Sequence, residues 1–463
     1  MDSESISKVV AQIRERIRLF LDNTQEDLVL VPNKSEEVTK WIEEIQDLDK
    51  QFEIERKATV AVLGTTGAGK STLLNALLGQ ELLPESFSGI CTASITRISR
   101  VAKPGFRATV EFQDWSELEK EIDLKSREIL AIQQNVAEVT EKQEIENDVK
   151  SEEDTQFRKR LESIYPIDQV KTFFSTGNQS CLKASNRVRN EVHQKIKRFD
   201  VLTLKELSNK LDNYLKSTNS GDENQVPWGL VKEVKIEGNF IEIPFDCEIV
   251  DLPGLNDPNP TREALTYKTI AKADFIFIVH NVKRYETKDI DIALSTEGFV
   301  DNLYRNSDKN ALTFIATHCD QIQMGREDRE KYKEDKLRFR KDEIMKHKEK
   351  RMPEYLQRKA AEIFANSNEV NLRQRKLFEE AKVFCLAPKL TLETSLGFES
   401  KTNESVFFDN EMDEFRKYLN ELVKESGVVA SINRLCRKIN EKALNIKNLF
   451  FYEKVAKEEL TQQ

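Results

Sequence analysis

The sequence predicts an α/β domain built on a mostly parallel sheet with helices on both faces. Short apolar runs rich in β-branched residues recur along the chain, and charged segments with helical periodicity separate the later ones. A long charged stretch within this alternation predicts a helical insertion. Segments with helical periodicity at both ends predict flanking helices that form a bundle beside the sheet domain.

The N-terminal part of the chain has apolar residues at helical spacing. Ile6 and Val9 belong to the apolar stripe of a first helix, and Trp41 and Ile45 to that of a second. We therefore expect residues 1–52 to form N-terminal helices ahead of the sheet domain.

The first predicted strand runs into a glycine-rich loop of the form GxxxxGK[ST]. The strand is the apolar run from Ala58 to Leu63, and a helical segment follows the loop. Glycines let successive backbone N–H groups point at phosphate oxygens, Lys70 adds a positive charge for the β- and γ-phosphates, and the Ser71 hydroxyl can bind Mg²⁺. The predicted phosphate-binding residues are Gly64, Thr65, Thr66, Gly67, Ala68, Gly69, Lys70, Ser71 and Thr72.

A second motif of nucleotide sites, DxxG, follows a later apolar run. Its Asp251 carboxylate is placed to orient Mg²⁺, and the backbone N–H of Gly254 can bind a γ-phosphate oxygen. The motif is weak alone, but it follows a strand and lies downstream of the glycine-rich loop, which makes it informative.

A third motif reads Thr317-His318-Cys319-Asp320 and ends the strand predicted over residues 312–316. The Asp320 carboxylate can accept hydrogen bonds from N1 and N2 of guanine, which adenine cannot donate, so the motif predicts GTP rather than ATP. His318 stands where Lys is usual, and its ring can stack on the base. Ala387, just past the last predicted strand, can offer a backbone N–H to guanine O6. An ATPase is the alternative if Asp320 does not face the base.

A polar loop over residues 88–96 is the fourth candidate element. A threonine there can close over Mg²⁺ and the γ-phosphate; Thr92 is the first choice and Thr96 the alternative. The predicted Mg²⁺ ligands are Ser71, Thr92 and Asp251. The predicted catalytic residues are Lys70 and Thr92.

Residues 115–228 form the predicted helical insertion, because they are dense in Glu, Lys, Gln and Asn and carry few strand signals. Strand signals resume after it. Val234–Ile236 and Phe240–Ile243 flank Gly238-Asn239 and predict a hairpin. Further strand-like runs cover residues 247–252, 275–279, 312–316 and 383–386.

The C-terminal part is again helical in its periodicity. Phe415, Leu419 and Leu422 form one apolar stripe. We expect residues 53–400 to form the nucleotide domain and residues 401–463 to form helices that pack with the N-terminal helices.

Composition narrows the protein class. The net charge of −9 argues against nucleic-acid binding, and six scattered cysteines without a CxxC pair favour a reducing compartment. No apolar run reaches the roughly 20 residues that span a bilayer, and neither a secretion signal nor a lipidation motif is evident. These features favour an intracellular protein, nuclear or cytoplasmic, and leave membrane association open.

Together these motifs resemble a dynamin-superfamily GTPase, and within it the SLIP-GC-like nuclear GTPases. The resemblance rests on residues 64–83, on Cys91-Thr92-Ala93, and on residues 250–254 with Asp257. It implies GTP hydrolysis with Mg²⁺ and a homodimer of two nucleotide domains that pair across their bound GTP.

Two positions depart from better-known relatives. Dynamins carry Gln-Ser where this chain has Thr66-Gly67, and Leu255 follows the DxxG glycine where Ras-like enzymes carry a water-positioning Gln. Three arginines are candidates for stabilising transition-state charge, although a surface role is the better interpretation of each: Arg97, Arg100 and Arg262. The alternative function is a GTP-gated scaffold with negligible hydrolysis, which the departures favour.

Overall fold

The computed structural model describes most of the central part of the chain. The described residues are 57–65, 67–84, 94–138, 152–215, 227–245, 247–252, 260–285, 312–364 and 375–424, except 377 and 399, together with isolated positions elsewhere. The chain divides into two compact units, residues 59–420 and residues 1–58 with 421–463. Nearly all of the second unit lies outside the described residues, so the predicted bundle of terminal helices stays a prediction.

The described strands form a single nine-stranded sheet in the order β4-β3-β5-β2-β6-β1-β7-β8-β9. Neighbours β1–β7, β7–β8, β8–β9 and β2–β5 are parallel, whereas β2–β6, β3–β5 and β3–β4 are antiparallel. The strands are Ala58–Leu63 (β1), Ile95–Arg100 (β2), Phe106–Phe112 (β3), Ile196–Val201 (β4), Val231–Gly238 (β5), Cys247–Asp251 (β6), Phe275–Asn281 (β7), Leu312–Thr317 (β8) and Lys382–Cys385 (β9).

Helices connect and cover these strands, which confirms the predicted fold class. They are Lys70–Leu78 (α1), Trp115–Glu138 (α2), Glu152–Glu162 (α3), Ile167–Thr176 (α4), Asn186–His193 (α5), Leu204–Leu215 (α6), Pro260–Lys272 (α7), Arg326–Tyr332 (α8), Lys336–Lys346 (α9), Met352–Ile363 (α10), Pro388–Ser395 (α11) and residues 403–424 (α12). A π-helical turn, His347–Arg351, joins α9 to α10. None of the described helices is long and apolar enough to cross a membrane.

The parallel half of the sheet holds the core. Strand β8 is buried at every position, as expected for a central strand with helices on both faces. Helix α12 packs its Phe415 ring against the rings of Phe277 and Phe384, with centroids 5.8 and 5.2 Å apart. Residues 403–420 therefore belong to the unit that contains the sheet. The domain bounds expected from the sequence stay a prediction.

Two local expectations were wrong. The predicted hairpin does not form, because β5 ends at Gly238 and the Ile243 N–H bonds the Phe240 carbonyl in a turn instead. The Phe240 ring then packs on Phe106, 5.6 Å away. The loop expected over residues 88–96 already becomes strand β2 at Ile95.

The predicted insertion is mainly helical but contains a strand. Helices α2 to α6 fall within it, whereas β4 pairs with β3 and extends the sheet. Its sequence, IKRFDV, mixes charged and apolar residues because β4 is the last strand of the sheet and one of its faces is exposed. Because apolar and charged residues are mixed in this short segment, the sequence did not predict a strand within a stretch rich in Glu and Lys.

A buried arginine holds the insertion to the sheet. Arg160 of α3 pairs with Glu121 of α2 and donates to the Gln113 side chain and the Gly229 carbonyl, at 2.7 and 2.8 Å. Its side chain is only 3% exposed, so each of its bonds replaces one to water. A Cβ at Gly229 would lie 2.4 Å from the Ser163 Oγ, which leaves no room for a larger residue there.

Removing this arginine should destabilise the domain strongly. Arg160→Met keeps much of the volume but leaves the Glu121 carboxylate buried without its cation, so we expect a loss of about 3–5 kcal/mol. The control is Arg158→Met, since Arg158 pairs with Glu162 at the surface and such pairs contribute below about 1 kcal/mol. Urea denaturation of both variants checks this; equal midpoints for the two would contradict the anchoring role.

Candidate nucleotide-binding site

The glycine-rich loop between β1 and α1 depends on its glycines. Gly64 has φ +152°, and a Cβ there would lie 2.3 Å from the Val279 carbonyl oxygen of β7. Gly67 and Gly69 have φ of +78° and +88°, in the left-handed region that favours glycine. The loop therefore has the backbone bends that turn N–H groups toward a bound anion. Thr66 lies outside the described residues.

Lys70 lies inside this loop rather than in solvent. Its Nζ donates to the Gly64 carbonyl at 2.7 Å and to the Thr65 carbonyl at 3.3 Å. The neighbouring Ser71 is also buried, in the first turn of α1, and Thr72 follows it in the same turn. The Lys70 ammonium and the Ser71 hydroxyl thus lie at the N-terminus of α1, the positive end of its dipole. This arrangement favours binding of a phosphate chain.

A hydroxyl of Thr317 ties the glycine-rich loop to the end of β8. Its Oγ1 lies 2.6 Å from the Ala68 carbonyl, 3.1 Å from the His280 carbonyl and 2.8 Å from His318 Nδ1. A hydroxyl has a single proton to donate. When the Thr317 hydroxyl donates along its short bond to the Ala68 carbonyl, its oxygen accepts from the His318 Nδ1–H. The neutral His318 ring then carries its proton on Nδ1.

The His318 ring lies over the glycine-rich loop. Its Cε1 would be 3.3 Å from a Cβ at Gly69, so the loop glycine makes room for the imidazole. Burial lowers the pKa of His318, and Arg284 and Lys283 add to this effect while Asp320 opposes it. His318 itself has φ +60°, the backbone conformation that turns the chain from β8 into the 3₁₀ turn Cys319–Gln321.

The loops after β8 and β9 are bonded to each other beside that turn. The Cys319 N–H donates to the Leu386 carbonyl at 3.3 Å, and the Leu386 N–H donates to the Ala316 carbonyl at 2.7 Å. Asp320 follows Cys319, and the buried Ala387 follows Leu386 and precedes α11. The residues predicted to contact the guanine thus come from two loops that the backbone holds together.

Asp251 ends strand β6 and is fully buried. Thr96 of β2 lies directly opposite it, and Ser94 immediately precedes β2. Among the described residues, neither the Thr96 nor the Ser94 hydroxyl has a hydrogen-bond partner. Because β2 is paired on both sides, Thr96 is a strand residue. The choice between Thr92 and Thr96 stays a prediction.

The donor set fits Mg²⁺ shared with a nucleotide. Ser71 and Asp251 supply the oxygen ligands that this hard cation prefers, with phosphates and water completing its shell. The described part of the chain contains no group of three or more His, Cys, Asp or Glu side chains that could hold a metal ion by themselves. Thr92 and Gly254 lie outside the described residues, so their roles stay predictions.

Two of the candidate arginines are already engaged. Arg97 pairs with Glu233 and Glu248 across neighbouring strands. Arg100 donates to the Ile241 carbonyl at 3.0 Å and lies 3.9 Å above the centre of the Phe245 ring. Both are held in place on strand β2 by these contacts. The Arg262 side chain lies outside the described residues.

Sequence analysis missed a buried histidine pair beneath this region. His280 ends the apolar run of β7 and faces His347 in the π-helical turn, with 3.4 Å between their Nε2 atoms. Burial, followed by the nearby His347, lowers the pKa of His280 to about 3. Burial and Arg351 lower the pKa of His347 to about 4. The polar residues His280 and Asn281 at the end of the run FIFIVHN were the available signal.

This pair should make folding sensitive to acid. Between pH 6.5 and about 4 the unfolded histidines bind protons and the folded ones do not, so the free energy of unfolding falls as pH is lowered. The fall is at most about 1.4 kcal/mol per pH unit for each histidine. We expect His280→Leu with His347→Leu to flatten the stability–pH profile measured by urea denaturation. The surface variant His193→Asn is the control, and a double variant that keeps the parent slope would contradict the assignment.

Residues 60–319, more than half of the chain, match the profile of the Dynamin family. The chain belongs to this family.

Two curated relatives carry the same name, Nuclear GTPase SLIP-GC. The human protein is 27% identical over 301 residues, which cover 61% of this chain and 35% of the relative. The mouse protein is 29% identical over 237 residues, which cover 49% of this chain and 28% of the relative. The chain spans about a third of the length of these relatives.

A solved structure that the chain matches is that of an oligomerised bacterial dynamin pair, described as providing a mechanism for the long-range sensing and tethering of membranes. It is 17% identical, with a TM-score of 0.44, and the match covers 96% of this chain and 49% of that one. The resemblance to dynamin-superfamily GTPases inferred from the motifs is confirmed by the family match and the curated relatives.

Proposed function

We propose that this dynamin-family chain binds GTP with Mg²⁺ and hydrolyses the bond to the γ-phosphate. The observation that carries the proposal is the Thr317 contact. One hydroxyl joins the glycine-rich loop to the loop that contains Asp320, so the predicted phosphate and base subsites form one continuous site. A nucleotide whose phosphates lie on the first loop places its base at the second.

The phosphate end of the site uses the backbone and one cation. The N–H groups of residues 64–72 line the phosphate chain, and the Lys70 ammonium exchanges its two loop carbonyls for phosphate oxygens. Mg²⁺, held by Ser71, Asp251 and Thr92, would neutralise charge on the phosphates. Thr92 also positions the attacking water, and the Gly254 N–H bonds the γ-phosphate.

The base end selects guanine. The Asp320 carboxylate accepts from N1–H and from the N2 amino group, and the Ala387 N–H donates to O6. Thr317 and the neutral His318 ring hold this loop against the glycine-rich loop, and the ring replaces the lysine stem usual at its position.

Hydrolysis by a lone chain should be slow. Arg97 and Arg100 are engaged by other groups, and Gly67 carries no side chain that could hold the attacking water. We therefore propose a nucleotide-dependent homodimer that stimulates turnover, as the family resemblance suggests. The same observations favour the second candidate function, a GTP-gated scaffold with negligible hydrolysis.

The proposed location is intracellular, nuclear or cytoplasmic. The cysteine usage supports a reducing compartment, which fits either location, and the name of the human and mouse relatives supports the nucleus. GTP and GDP are the proposed ligands, no direct nucleic-acid binding is proposed, and membrane association is left open.

Asp320→Asn tests the base assignment. The amide can donate to the C2 carbonyl of xanthine and accept from its N1–H, whereas it pairs poorly with the amino group of guanine. We expect GTP affinity to fall on the order of 10²-fold or more and xanthosine triphosphate affinity to rise, as measured by calorimetry.

The matched control is Glu330→Gln, an exposed acid on α8 whose neutralisation should leave the affinities for both nucleotides unchanged. An Asp320→Asn variant with the parent's preference for GTP would show that Asp320 does not face the base.

A further inference from the structure

Strand β4 ends the sheet and has a backbone edge that no described strand occupies. The Phe112 N–H donates to the Lys195 carbonyl at 3.0 Å, which makes Phe112 and Lys195 a hydrogen-bonded pair of the β3–β4 ladder. Antiparallel pairs alternate, so Ile196, Arg198 and Asp200 are non-hydrogen-bonded positions toward β3. The N–H and C=O groups of Arg198 and Asp200 therefore point outward, away from the sheet, whereas the Ile196 N–H donates to the Gln194 carbonyl.

The side chains on these outward positions are exposed as well. Ile196, the first residue of β4, is 42% exposed, and Leu202, directly after the strand, is 84% exposed. Between them stand Arg198 and Asp200, both exposed, and neither has an ion-pair partner among the described residues. A strand edge that combines free backbone groups with exposed apolar residues is a template for pairing with another chain.

We propose that β4 is a self-association edge, on which a second copy of this chain adds its own β4 in antiparallel orientation. A two-fold axis perpendicular to the sheet would relate the copies and join two nine-stranded sheets into one. In the register centred on Phe199, Arg198 of each copy stands opposite Asp200 of the other. Ile196 of each copy then stands opposite Leu202 of the other, so charges and apolar residues both match.

Neighbouring registers are excluded by charge. A two-fold axis at Arg198 places the two Arg198 side chains directly opposite each other, and an axis at Asp200 does the same with the two carboxylates. Like charges in directly opposite positions destabilise a strand pair, whereas opposite charges stabilise it by about 0.2–1 kcal/mol. Of these three registers, the one centred on Phe199 alone pairs opposite charges.

The other face of β4 accommodates this pairing. The Phe199 ring lies 5.8 Å from the Tyr214 ring of α6, and the two Phe199 side chains would meet at the axis. Phe199 is a hydrogen-bonded position toward β3, so it occupies a non-hydrogen-bonded pair in the new ladder, where side chains come closest. An aromatic pair at this place adds stabilisation.

This edge is remote from the candidate nucleotide site. Five strand spacings of about 4.8 Å separate β4 from β1, which places the edge about 24 Å from the glycine-rich loop. The proposed dimer is therefore distinct from one that forms across bound GTP. It requires no nucleotide and should survive substitution of Lys70.

Sedimentation velocity of the full chain without nucleotide tests the proposal through a charge swap. We expect the parent to pass from monomer to dimer as its concentration rises. Arg198→Asp places acids opposite acids and Asp200→Arg places arginines opposite arginines, so each should weaken dimerisation at least tenfold. The double variant, Arg198→Asp with Asp200→Arg, restores opposite charges and should restore dimerisation. The Lys70→Ala variant should dimerise like the parent.

The outcomes are distinct. Loss in both single variants with recovery in the double variant supports the edge and its register, provided that far-ultraviolet circular dichroism and thermal melting show every variant folded. A parent that stays monomeric without nucleotide, or single variants that dimerise like the parent, would overturn the proposal. Failure of this test would leave the proposed GTPase activity untouched, because the residues proposed for that activity lie away from β4.

Discussion

The candidate site depends on one buried hydroxyl. Thr317 bonds the Ala68 carbonyl of the glycine-rich loop and lies within reach of the His280 carbonyl and the His318 ring. A buried polar group of this kind stabilises only when its partners are all in place. The contact therefore sets the separation between the glycine-rich loop and the loop that contains Asp320. The positive φ angles of Gly69 and His318 fit this separation.

The two halves of the sheet serve different purposes. The parallel half, β1 and β7 to β9, is apolar on both faces and provides a rigid base for the loops at its carboxyl end. The other half carries the insertion, is more polar, and is held by ion pairs such as those of Arg97 and Arg160. Ion pairs thus hold the outer strands, whereas apolar packing holds the strands from which the loops of the site emerge.

Much of the fold and site could be predicted from the sequence, and the misses share a cause. Apolar runs identified β1, β6, β7, β8 and β9, because strands covered on both faces need apolar residues throughout. Strands β2, β3 and β4 were missed because charged residues interrupt their apolar ones and their partners lie far away in sequence. The His280–His347 pair was also missed, since it joins residues 67 positions apart. The motifs located the loops, but only coordinates show that Thr317 links two of them.

The most direct test of the central claim is GTP turnover per chain as a function of protein concentration, with Mg²⁺ and with Lys70→Ala as the blank. We expect slow turnover at low concentration and a specific activity that rises with concentration and is absent from the variant. A rate indistinguishable from the Lys70→Ala blank at every concentration, in a protein that still binds GTP, would contradict the hydrolase and favour the GTP-gated scaffold.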